Sequence, residues 1–148
     1  MAAIPKIVRR GVWGVVLASA GMFQAGCLFG GGTVEKPLTP GSGNVAGQGT
    51  VEASPGENGN TALEVRVKHL AEPSKIAPNA SVYVVWVKPE NAQIQNVGAL
   101  QVDDDLVGEL STTTPHLAFT VTVTPEANPR VAAPSHSPVF SAEVDRDD

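Results

Sequence analysis

The side chains able to do chemistry are few and scattered through the 148 residues. His69, His116 and His136 could ligate a metal or move a proton. They lie far apart in sequence, and none has a partner at metal-ligand spacing. Ser111, Thr112, Thr113 and Thr114 form a hydroxyl run. A hydroxyl becomes a nucleophile only beside a base, so this run reads as a strand end entering a turn. Asp103, Asp104 and Asp105 are hard oxygen ligands and the best cation candidate. They lack the spacing and glycine of a calcium loop, which leaves a solvated hairpin turn as the expectation. Tyr83 and Trp86, at i and i+3 of an apolar run, point to opposite faces of a strand. One of them is a candidate partner surface; core packing is the ordinary alternative. No phosphate loop, nucleophile elbow or metalloprotease motif is present. A non-enzymatic protein with no metal and no cofactor is therefore expected. Cys27, the single cysteine, has no internal disulfide partner.

The elements that position these residues begin with an export signal. Lys6, Arg9 and Arg10 form a basic start. A charge-free apolar stretch follows over residues 11–26, shorter than the roughly 20 residues of a spanning helix. It ends in Ala25 and Gly26, immediately before Cys27.

That ending resembles the lipobox of bacterial lipoproteins, in which a small residue precedes a cysteine that is lipidated and becomes the new N-terminus. Ala25, Gly26 and Cys27 match, whereas Gln24 stands where the family carries an aliphatic residue. The resemblance implies cleavage between Gly26 and Cys27, and a membrane partner reached through palmitate or a similar chain on Cys27. Ordinary cleavage leaving a free thiol, and an uncleaved anchor, are the other readings of the same segment. Leu28 follows the cysteine, which resembles an outer-membrane sorting signal in enteric bacteria. The expected location is the cell envelope, with the domain facing the periplasm or exterior.

Four segments are expected. Residues 1–26 are the signal peptide, and residues 27–61 the lipidated N-terminus with a flexible linker. Gly, Pro, Ser, Asn and Thr dominate the linker, too little apolar area to offset the entropy of ordering. Residues 62–144 are the folded domain, and residues 145–148 a frayed acidic tail. Strands are predicted over 62–70, 81–88, 96–102, 107–112, 117–124 and 139–144, from alternation at period two and from Val, Tyr and Trp enrichment. The run 81–88 is apolar on both faces, which predicts a central strand covered on both sides and stopped by Pro89. Six to seven short strands with turn residues between them predict an all-β, small immunoglobulin-like β-sandwich.

Charge narrows the partners. After Cys27 there are 15 Asp and Glu against seven Lys and Arg, a formal charge of −8. Such a surface repels phosphate backbones, so no nucleic-acid partner is expected.

Several fragments follow one another along the chain: Tyr83, Trp86 and Val87; Asn96, Val97, Gly98, Leu100 and Val102; Gly108 and Leu110; Phe119, Val121 and Thr122 with Pro125 and Glu126; Pro134 and Ser135 with Pro138 and Val139. This pattern resembles the extracytoplasmic domain of the anti-sigma-K factor family. The resemblance implies a β-sandwich outside the cytoplasm. It brings no catalytic residues and no sigma-binding activity, because that family holds its sigma factor on a separate helical domain. Ala127, Asn128 and Pro129 replace the glycine-rich turn of the family. The functional expectation is a non-enzymatic, membrane-anchored envelope lipoprotein whose sandwich binds an envelope protein or glycan. A sensing partner of a membrane regulator of the anti-sigma type is the alternative, followed by an envelope hydrolase.

Overall fold

The computed structural model describes residues 32–41 and 46–147. Cys27, Gly26 and the whole export segment lie outside the described residues.

Among the described residues, nine antiparallel strands make two layers. They are β1 (Val34–Pro40), β2 (Gln48–Pro55), β3 (Thr61–Lys68), β4 (Val82–Pro89), β5 (Gln95–Ala99), β6 (Gln101–Val102), β7 (Gly108–Thr114), β8 (Ala118–Glu126) and β9 (Phe140–Asp145). A four-residue helix, α1 (Pro73–Ile76), joins β3 to β4. The hydrogen-bonded order is β5-β4-β8-β9-β1-β2-β3-β7-β6. With β2 set aside, one layer runs β1-β3-β7-β6 and the other β5-β4-β8-β9, the A-B-E-D and C′-C-F-G orders of the immunoglobulin fold. β2 is an additional strand set between A and B.

The period-two pattern builds the core. Leu63, Val65 and Val67 of β3 point inward, as do Phe119, Val121 and Val123 of β8 and Phe140, Ala142 and Val144 of β9. Tyr83, Val85 and Val87 of β4 meet them from the same layer as β8 and β9. The expected cover on both faces of β4 is present, because Val84 and Trp86 on the opposite face are also fully buried. The strand ends at Pro89.

Two crossings close the sandwich and raise the strand count above the six to seven expected. At one edge β1 pairs with β2 along Val34 to Leu38, then switches at Thr39 and Pro40 to β9. Gly41 continues this crossing and donates its N–H to Val139 O at 2.8 Å. A Cβ at Gly41 would run into the Pro138 carbonyl, so the close approach of two backbones requires glycine here. At the other edge the expected strand 96–102 splits at Leu100. Its N–H bonds Tyr83 O at 2.9 Å, and β6 then pairs with β7 in the opposite layer.

Two expectations about segments are corrected. The flexible linker placed over 27–61 contains β1 and β2, which pair over five and eight residues with their neighbours. Its composition is misleading because β1 contributes one fully buried side chain, Leu38, and β2 only Val51 and Ala53. Each strand buries too little alone; together they complete one layer over the shared core. The tail at 145–148 is also not frayed where it is described. Asp145 closes β9, and Arg146 is 4% exposed, its Nη1 donating to Thr61 Oγ1 at 2.7 Å.

Candidate functional site

The face of the β5-β4-β8-β9 layer that points away from the core carries threonines: Thr120, Thr122 and Thr124 alternate with the inward residues of β8. Trp86 lies on this face, opposite Thr122 in register. A tryptophan among hydroxyls needs both a partner for its N–H and a cover from water. The partner is Thr124, whose Oγ1 accepts the indole N–H at 2.8 Å. Trp86 is fully buried, and the long connection 127–139 is tied back to its register partner Asn96.

Asn96 and Glu126 hold that connection down. The Asn96 amide donates to Pro129 O and to Val131 O, each at 2.9 Å, while its carbonyl accepts from Gly98 N at 3.0 Å. Gly98 has φ +132, a conformation favouring glycine, and faces the register shift between Val85 and Trp86. Glu126 is fully buried. Its Oε1 accepts from Thr124 Oγ1 at 2.7 Å and from Ser135 N at 2.9 Å. His136 Nδ1 stands 3.9 Å from the second carboxylate oxygen. Burial pushes the Glu126 carboxyl up, but the Ser135 backbone N–H, the Thr124 and Ser135 hydroxyls and His136 outweigh it and hold it below the usual glutamate value. The chain Trp86–Thr124–Glu126–Ser135 therefore works as a clamp. One carboxylate oxygen accepts from Thr124 of β8 and from Ser135 of the connection, while the other, buried Oε2, makes no hydrogen bond among the described residues and faces His136 Nδ1.

The residues singled out by sequence fall as follows. Tyr83 and Trp86 do point to opposite faces, but both are buried, and this corrects their reading as a partner surface. Tyr83 lies in the core with its hydroxyl donating to Ala71 O at 2.7 Å, and burial pushes its pKa up to about 12. His69 is exposed at the end of β3 in a left-handed conformation, φ +58. The His116 carbonyl accepts from Thr61 Oγ1 at 2.8 Å, and among the described residues only His136 approaches a carboxylate. Among the described residues no three His, Cys, Asp or Glu side chains gather as a metal site. Asp103, Asp104 and Asp105 form the exposed β6–β7 turn, where Asp103 Oδ1 accepts the N–H of Asp105 at 3.0 Å and of Val107 at 2.8 Å. Ser111 to Thr114 lie in β7, with only Thr114 buried.

Sequence reasoning missed Thr124 and Arg146, and met Glu126 only as part of a degenerate motif. One signal was legible: register places Trp86 on the threonine face, and such a face must be covered by something polar.

The class this fold defines is an all-β, immunoglobulin-like sandwich with one added strand and a clamped F–G connection. A scan against known protein families and a search of curated proteins both return no match.

Proposed function

We propose that this protein is an exported, non-enzymatic interaction module held on a membrane surface by lipid on Cys27. The observation that carries the reading is the placement of the lone cysteine. It ends a basic-then-apolar leader and stands only seven residues before β1, the first strand of the sandwich. A short connection suits a domain presented at a surface. Seven residues span roughly 25 Å at full extension, whatever their conformation. A lipid-modified cysteine also accounts for an unpaired cysteine in an exported chain. The module reading is supported by the burial of Glu126 and Trp86, with the Glu126 carboxylate bonded within the protein to Thr124 and Ser135.

The test is to express the full chain and the Cys27→Ser variant in a bacterial host. Incorporation of radioactive palmitate, membrane fractionation and the mass of the N-terminal peptide are then followed. Label on the wild type alone, with Cys27 at the mature N-terminus, is the expected result. An unlabelled wild type, or a variant that fractionates with the membrane just as the wild type does, overturns the anchor.

A further inference from the structure

We infer that the end of the sandwich opposite Val34 is a protein-docking surface. It would accept an apolar side chain flanked by Lys or Arg from a second, different protein. The inference rests on the interaction-module reading and gives it a place and a partner chemistry.

Three large apolar side chains are exposed among the described residues, and two of them, Val102 at 46% and Leu106 at 45%, stand together. Both line a depression of about 260 Å³ whose other apolar walls include Pro73, Val82 and Leu100. Its volume falls just under the range of roughly 300–1,000 Å³ typical of small-molecule sites. It suits one protruding side chain, the anchor geometry of a protein interface.

Leu106 itself points to a role beyond folding. It sits in the β6–β7 turn at φ +59, a conformation that Gly and Asn tolerate and a bulky residue resists. The turn uses its backbone only: Leu106 N donates to Asp103 O at 3.1 Å, and Leu106 O accepts from Leu70 N at 3.0 Å. An asparagine would serve this turn at least as well. What leucine adds is an apolar side chain held out at the lip of the depression.

Charge chooses the occupant. Asp103, Asp104 and Asp105 adjoin Leu106, and Glu72 lies at the rim with Lys75 3.4 Å away. Two copies meeting through this patch would set the same aspartates against each other, and an anionic lipid surface would be repelled as well. A basic rim around an apolar anchor is complementary. The position agrees: β1 and β9 are antiparallel, with Pro40 beside Phe140, so Val34 lies at the opposite end of the strands from Val82, Val102 and Gly108. An eight-residue strand is about 27 Å long. The docking end therefore faces away from a membrane that holds Cys27.

The test uses the full chain purified in detergent, carrying an isotope label for NMR. It is titrated with synthetic peptides that bear one Leu, Phe or Trp between Lys and Arg. Matched sets carry Glu flanks, or Ala in place of the anchor. Binding of the basic, anchored set is expected, with amide shifts concentrated at Ala71, Val82, Val102 and Leu106. Leu106→Asn and Val102→Ser should each weaken it about tenfold or more while leaving the thermal midpoint of Leu106→Asn no lower than wild type. Equal binding of Glu-flanked peptides, shifts centred elsewhere, no binding by any set, or insensitivity to both substitutions overturns the surface. So does dimerisation or binding to anionic vesicles through these residues. The N-terminal mass of the same preparation reports separately on the anchor, so failure of one reading is told from failure of the other.

Discussion

Two buried titratable side chains make the stability of this sandwich depend on pH. The Glu126 carboxyl has its folded value below its ordinary 4.5, so folding favours the anion. Its contribution is full above 4.5 and is lost as pH falls through the lowered value. Tyr83 behaves oppositely. Its folded value of about 12 lies above the ordinary 10.0, so burial favours the neutral phenol. That contribution is full below 10.0 and is lost as pH rises toward 12. Denaturant titrations across pH should show both flanks, and the phenolate absorbance of the single tyrosine should report the alkaline one directly. Glu126→Gln should lose about 1–3 kcal/mol near neutrality, the usual consequence of disturbing a buried, charge-assisted pair of hydrogen bonds. Its deficit should shrink as pH falls below 4.5. A deficit that stays constant down to acid unfolding would contradict the clamp.

β1 and β2 decide whether the N-terminal third described here is part of the domain. Leu38 is the one fully buried side chain of β1, and its layer completes the core over Phe140 and Val67. Leu38→Ala should therefore destabilise the whole sandwich by about 2–5 kcal/mol, within the range for truncating a buried leucine. In a flexible linker the same change would leave the unfolding midpoint untouched, so a single melting curve discriminates the two. Elsewhere the elements are supported by ordinary means. Arg66 and Glu109 form a cross-strand ion pair at 3.0 Å on the solvent face of β3 and β7, where half-exposed charges add little. Pro37 is tolerated because the first part of β1 is hydrogen-bonded to β2 on one side only.

At the scale of the molecule, the proposed lipid on Cys27 would give the sandwich an orientation as well as an address, because only seven residues separate it from β1. With β1 starting seven residues from the proposed anchor, the end bearing Asn58 and Thr61 would lie nearer that membrane than the Asp103–Leu106 turn at the other end of the strands. A fluorophore on Asn58→Cys in lipid-anchored protein should be quenched more by a headgroup-borne quencher than one on Asp104→Cys. Equal quenching at the two positions would mean that the domain tumbles freely on its tether. Arg146 strengthens the end of the sandwich that bears Thr61 by tying β9 to the start of β3, while the backbone N–H of Arg146 bonds Leu117 O at 3.1 Å.

What the residues determined alone was whatever is local. Alternation of apolar and polar side chains placed β3 and β8, an apolar β-branched and aromatic run placed β4, and turn residues bounded β7 and β9, all within a residue or two of their observed bounds. The apolar run of β4 likewise announced cover on both faces. The tertiary structure decided what depends on neighbours. β1 and β2 are strands because adjacent strands supply the surface they lack. Trp86 is fully buried where its register partner Asn96 holds a proline-rich connection, remote in sequence, to which Glu126 also bonds. Val102 and Leu106 are exposed side by side because one turn is clamped to Leu70 in a conformation that apolar residues avoid. Hydrophobic periodicity reports the face a residue prefers; only the closed sandwich settles which faces find a cover.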